Sequence, residues 1–63
     1  MMEQNQVVTS PFYNVQEVCR ILGVGKSKGY EIIKTLNREL SKQGFITVQG
    51  KVSKRYFEER VAM

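Results

Sequence analysis

The sequence contains no histidine, no aspartate and no tryptophan, and only one cysteine and one proline. Each scarcity excludes something. Without His or Asp, and with Cys19 as the single thiol, the side chains that build metal sites, nucleophile–base pairs and acid–base dyads are almost missing. No enzyme is expected, and no cofactor or metal. One cysteine closes no internal disulfide, and a secreted chain this short normally carries several, so a reducing cytosol is the expected setting. No apolar run approaches the roughly 18 residues of a membrane-spanning helix. The start, Met1-Met2-Glu3-Gln4-Asn5-Gln6, lacks the basic and apolar stretches of a signal peptide. A soluble cytoplasmic protein is expected, with no membrane and no small-molecule substrate. The 63 residues leave room for one domain, because a chain of about 60 buries only about 60% of its unfolded surface.

What is present is positive charge, unevenly placed. Ten Lys and Arg stand against six Glu, for a net charge of +4. Eight of the cations lie between Lys26 and Arg55, opposed only by Glu31 and Glu39, so this segment carries +6 and the flanks −2. Two readings remain open on charge alone: a solubilising lysine face, or a surface for a polyanion.

Local signals divide the chain. Residues 1–10 are polar and read as a flexible N-terminal tail, leaving 11–63 as the folded domain. Asn14 is an N-cap residue with Glu17 three positions on, the spacing of a capping box, and Tyr13 and Val18 fall where a hydrophobic staple puts them. Val15, Val18, Cys19 and Leu22 then share one helical face, and Gly23 ends a short helix over about 15–22. Val24-Gly25 is a hinge. A second helix is expected over 26–42, with Ile33, Leu36 and Leu40 as its apolar stripe and Tyr30 and Ile32 beside it. Gly29 costs about 1 kcal/mol in a helix, and its expected benefit is close approach of the first helix. Ser27, Glu31, Lys34 and Arg38 fall on the opposite side, and Gly44 closes the helix. Residues 45–48, Phe-Ile-Thr-Val, are β-prone; Gln49-Gly50 suits a tight turn, and 51–53 can return as the second strand of a hairpin. Ser53 is placed to cap a third helix over 54–61. Phe45, Ile46, Tyr56 and Phe57 are expected in the core with Cys19.

The fold class is therefore mostly α with a small β-hairpin. Two short helices joined by Gly23-Val24-Gly25 have the form of a helix-turn-helix, in which the second helix enters the DNA major groove. The hairpin after it has the form of a wing.

Residues 13–34, Tyr-Asn-Val-Gln-Glu-Val-Cys-Arg-Ile-Leu-Gly-Val-Gly-Lys-Ser-Lys-Gly-Tyr-Glu-Ile-Ile-Lys, resemble the MerR-like winged helix-turn-helix of phage and mobile-element excisionases. That pattern reads aromatic-Thr/Ser-Val-x-Glu-x-Ala-x-x-Leu-Gly-Val-Ser-x-Ser-Thr-Val-Tyr-x-Leu-Ile. The segments Leu36-Asn37-Arg38-Glu39-Leu40, Gly44-Phe45-Ile46-Thr47-Val48 and Gly50 to Phe57 are similar to small excisionase-like proteins of integrative elements and prophages. The likeness spans about 13–61. This chain departs from the pattern at Val18-Cys19, at Gly25 in place of Ser, and at Lys28-Gly29 in place of Thr-Val.

The resemblance implies a nucleoid-associated protein that binds double-stranded DNA at attachment sites, bends it, and biases a cognate integrase toward excision. Several copies would associate on neighbouring sites. The DNA-facing residues expected are Lys26, Ser27, Lys28, Glu31, Lys34 and Arg38 on the second helix, with Lys51, Lys54 and Arg55 at the wing and after it. Ser27 and Lys28 are placed to meet bases. Lys34 and Arg38 suit phosphates, which position a protein without reading sequence. Glu31 either accepts from a cytosine amine or orients a neighbouring lysine, the second being favoured. The same residues also fit the plain solvated face of an amphipathic helix. Two other functions stay open: a small transcriptional repressor of a mobile element, and a protein-interaction adaptor or anti-repressor.

Overall fold

In the computed structural model, which describes residues 11–61, the first helix begins and ends, the second ends and the third begins where a local signal tells it to. The expected tail over 1–10 lies outside the described residues. A first strand, β1 (Phe12–Asn14), runs straight into α1 (Val15–Leu22). The Asn14 side chain accepts from the Glu17 amide, and Glu17 Oε1 accepts from the Asn14 amide, each at 2.9 Å, so the capping box is complete and two otherwise orphaned donors are satisfied. Gly23 ends α1 in the left-handed conformation (φ 68°). Its amide and that of Val24 both close on the Cys19 carbonyl, at 2.8 and 3.1 Å.

After a two-residue hinge comes α2 (Lys26–Lys42), closed by a Schellman arrangement. Gly44 (φ 93°) donates to the Ser41 carbonyl and Phe45 to that of Leu40, at 3.0 and 3.1 Å. Beyond lie β2 (Lys51–Ser53) and α3 (Lys54–Val61). Ser53 Oγ accepts from the Tyr56 amide at 3.3 Å, the cap expected of it.

Four elements meet in one core. Val15 and Val18 come from α1, Ile33 and Leu36 from α2, Val52 from β2 and Phe57 from α3, with Tyr13, Cys19, Leu22, Ile32, Tyr56 and Val61 packed around them. Val18, Val52 and Phe57 are fully buried, each of them contributing about 1.5–3 kcal/mol. The Phe57 ring meets Tyr13 edge to face, with centroids 5.4 Å apart. Gly29 is where α1 crosses α2. A Cβ built there overlaps Cys19 Sγ and comes 3.2 Å from Val15 Cγ2, so the close approach expected of this glycine is present.

The strand pairing differs from expectation. Residues 45–48 do not form a strand; β2 pairs antiparallel with β1 instead, Tyr13 opposite Val52 and Asn14 opposite Lys51. The reason is burial. Tyr13 and Val52 bring apolar side chains to the core, whereas Phe45 and Ile46 are 59% and 92% exposed. Nothing would be gained by pairing them over the core, and the expectation that they belong to it is corrected with the hairpin. The turn itself forms: the Lys51 amide donates to the Val48 carbonyl at 3.1 Å, and Gly50 takes φ 80°. The result is a mostly helical chain with a small two-stranded antiparallel sheet, a winged-helix-like fold. Its wing is a loop ended by a tight turn.

Candidate nucleic-acid interface

At 3.6 residues per turn, α2 turns Gly29, Ile33, Leu36 and Leu40 inward, all of them buried. Ser27, Glu31, Lys34 and Arg38 therefore line the outward face, and all four are exposed, as are Lys26 and Lys28 beside them. Lys28 Nζ lies 3.4 Å from Glu31 Oε1 across one turn. Both side chains are well exposed, so the pair contributes little to stability and leaves Lys28 able to exchange partners. The N-cap of α2 is Gly25, which makes no side-chain hydrogen bond. Its carbonyl accepts from the Gly29 amide at 2.9 Å and from Cys19 Sγ at 3.3 Å, so the hinge is fastened from both helices.

The wing turn stands beside this face. Between them runs an open cleft of about 490 Å³ lined by Tyr30, Ile33, Lys34, Asn37, Thr47, Gln49 and Gly50. Tyr30, which the sequence sets beside the apolar stripe of α2, is 50% exposed on its rim. Asn37 spans the cleft: its Nδ2 donates to the carbonyls of Val48 and Lys51, at 3.1 and 2.8 Å. Lys51 is exposed at the start of β2.

Lys54 and Arg55 are not brought to that cleft. Lys54 is half-buried at the start of α3, its Nζ 5.3 Å from the centroid of the Tyr13 ring. Arg55 Nε lies 4.0 Å from Glu59 Oε2, and Arg55 borders a second groove with Phe12, Leu40, Phe45, Ile46 and Tyr56. Of the residues expected at the interface, the structure thus gathers Lys26, Ser27, Lys28, Glu31, Lys34 and Arg38 on one helix and sets Lys51 next to it.

The acid in α2 that sequence reading passed over is Glu39. Its carboxylate takes Arg60 Nε and Nη2 in a two-point contact at 2.8 and 2.9 Å, and Tyr56 Oη at 2.7 Å. The Arg60 and Tyr56 hydrogen bonds hold its carboxyl down at about 2. The same contact raises the pKa of Arg60, and the Glu39 hydrogen bond raises that of Tyr56. This clamp fixes α3 to α2 and removes one negative charge from the field around the helix. Nothing in the sequence marked it, since Glu39 and Arg60 are 21 positions apart. Tyr13 makes the matching tie on the other side, donating to Glu58 Oε2 at 2.9 Å, a bond that raises the tyrosine's pKa.

A short helix, a glycine-bounded hinge and a longer helix with an exposed, mainly cationic face, with a wing turn beside it, make a winged-helix-like helix-turn-helix. By sequence, the chain is 44% identical over 48 residues to the ICEBs1 excisionase of Bacillus subtilis strain 168, a match covering 76% of this chain and 75% of that protein. It belongs to the excisionase family. No family model matches the chain, and no solved structure matches it. Among the described residues no helix is long and apolar enough to cross a membrane.

Proposed function

We propose that the chain is a recombination directionality factor that binds duplex DNA at the ends of a mobile element and, without a catalytic step of its own, turns the cognate integrase toward excision. The observation that carries this is the outer face of α2. Ser27, Glu31, Lys34 and Arg38 follow helical spacing, are exposed together, and begin at a helix N-terminus where free N–H groups favour a phosphate. Laid in the major groove, that face puts Ser27 and Lys28 at the end that meets base edges, while Lys34 and Arg38 reach phosphates on either side. Lys51 on the wing adds a further backbone contact. Lys54 and Arg55 lie farther round and serve as outer contacts on strongly bent DNA. Bending brings separated attachment-site segments together for the integrase. Copies on neighbouring sites supply the length of contact that one small domain lacks.

Gel shift over a salt series tests the DNA step. Each phosphate neutralised contributes about 0.9 to the slope of log affinity against log salt, so binding through four to six cations falls steeply with salt. No shift on any duplex, including the element's own ends, would refute the proposal. An excision assay with the cognate integrase tests the second step. Promoter binding with no stimulation of excision would assign the protein to repression instead.

A further inference from the structure

The wing of this protein has little to hold it. Phe45, Ile46 and Val48 are all exposed, and residues 45–48 pair with no strand. The loop leaves α2 through the Phe45 amide on the Leu40 carbonyl and closes its own turn through Lys51 and Val48. Among the described residues, the side-chain hydrogen bonds that reach this loop and turn both come from Asn37, to the carbonyls at either end of Gln49-Gly50. A side-chain amide has two N–H donors, and both are spent there. Asn37 sits on α2 one turn beyond Lys34 and next to Arg38, on the same helix that carries the exposed cationic face.

We infer that Asn37 is a positioning residue for the wing, coupling the place of Lys51 and the Gln49-Gly50 turn to the register of the recognition helix. This rests on the reading that α2 and the wing both meet DNA. The geometry makes the coupling direct. Asn37 grips Val48 and Lys51 at their backbone carbonyls, so the backbone from which Lys51 projects is tied to the helix that carries Lys34. Without that grip Lys51 keeps its place opposite Asn14 in the sheet and the turn keeps its internal hydrogen bond, but both lose their tie to α2, and the Lys51 contact then carries the cost of fixing the wing against the helix.

The test is a double-mutant cycle read by gel shift over a salt series, on a mixed-sequence duplex and on a duplex from the element's ends. The proteins are the full chain, Asn37→Ala, Lys51→Ala, the double variant, and Lys34→Ala alone and with Asn37→Ala. Ala is the better helix former, so α2 is retained. If circular dichroism shows Asn37→Ala unfolded, Asn37→Ser, too short to reach both carbonyls, takes its place. The expected result is that Asn37→Ala weakens binding about fivefold, as for one lost exposed ion pair. Its salt slope should flatten by about 0.9, matching Lys51→Ala, with the double variant no weaker than either single one. The Lys34 and Asn37 effects should add. A merely structural role for Asn37 would weaken the Lys34 and Lys51 contributions alike. Unchanged binding by Asn37→Ala, or full additivity with Lys51→Ala, overturns the inference while wild-type binding leaves the DNA reading standing. Failure of the wild-type chain to shift either duplex overturns both.

Discussion

Replacing Gly29 by Ala should destabilise this protein, against the usual rule for helices. Gly costs about 1 kcal/mol more than Ala inside a helix, so on local grounds the substitution is stabilising. The structure reverses the sign. The new Cβ overlaps Cys19 Sγ and stands 3.2 Å from Val15 Cγ2. Cys19 cannot swing aside freely, because its thiol donates to the Gly25 carbonyl at 3.3 Å in the hinge. Overpacking of this kind costs about 1–3 kcal/mol. Set against the gain in helix propensity, the net loss is about 1 kcal/mol, which in a domain of this size lowers Tm by about 4–8 °C. Far-UV circular dichroism melts read it. The decisive arm is a second background: once Cys19→Ala has removed the sulfur, Gly29→Ala should become neutral or stabilising. The excisionase pattern that this chain resembles places Ala and Val at these two positions, a smaller residue on α1 facing a larger one on α2. A higher Tm for Gly29→Ala in the natural chain, or the same effect in both backgrounds, would refute the account of a tight α1–α2 contact.

Other outcomes follow from the same contacts. Phe57 is fully buried at the junction of β1, β2 and α3, and Phe57→Ala should cost about 3–5 kcal/mol, enough to leave much of so small a domain unfolded in a urea titration. Glu39 has its folded pKa lowered from 4.5 to about 2 by Arg60 and Tyr56. Its contribution is therefore present above pH 4.5 and is lost as pH falls toward 2; Glu39→Gln should flatten that part of an acid unfolding curve, and an unchanged curve would show that the clamp is idle. Lys28→Ala should weaken DNA binding at unchanged Tm, because Lys28 is exposed and its contact with Glu31 is a surface pair. Loss of stability with intact binding would mean that another face of α2 meets the DNA.

The parts of the fold that sequence reading placed correctly are those whose cause lies within a few residues. Asn14 and Glu17 cap each other across three positions. Gly23 and Gly44 each occupy the left-handed conformation that ends a helix, and Ser53 caps α3 through the Tyr56 amide. The spacing of Ser27, Glu31, Lys34 and Arg38 is likewise a local property, because helical period alone decides which side chains share a face. Hence the outward stripe of the candidate interface was legible, and so was the core stripe behind it.

The sequence by itself thus determined the three helices, the hinge between the first two, and the cationic face of the second. Only the tertiary structure decided the partner of β2. A β-prone segment declares that it can extend, not what it pairs with, and Phe12–Asn14 won because Tyr13 and Val52 reach the core while Phe45 and Ile46 do not. It also decided that Glu39 belongs to Arg60 and Tyr56, that Asn37 holds the wing turn, and that Lys54 lies over Tyr13. These contacts join residues 11 to 41 positions apart. They exist because several helices were first brought against one core, which no local pattern encodes.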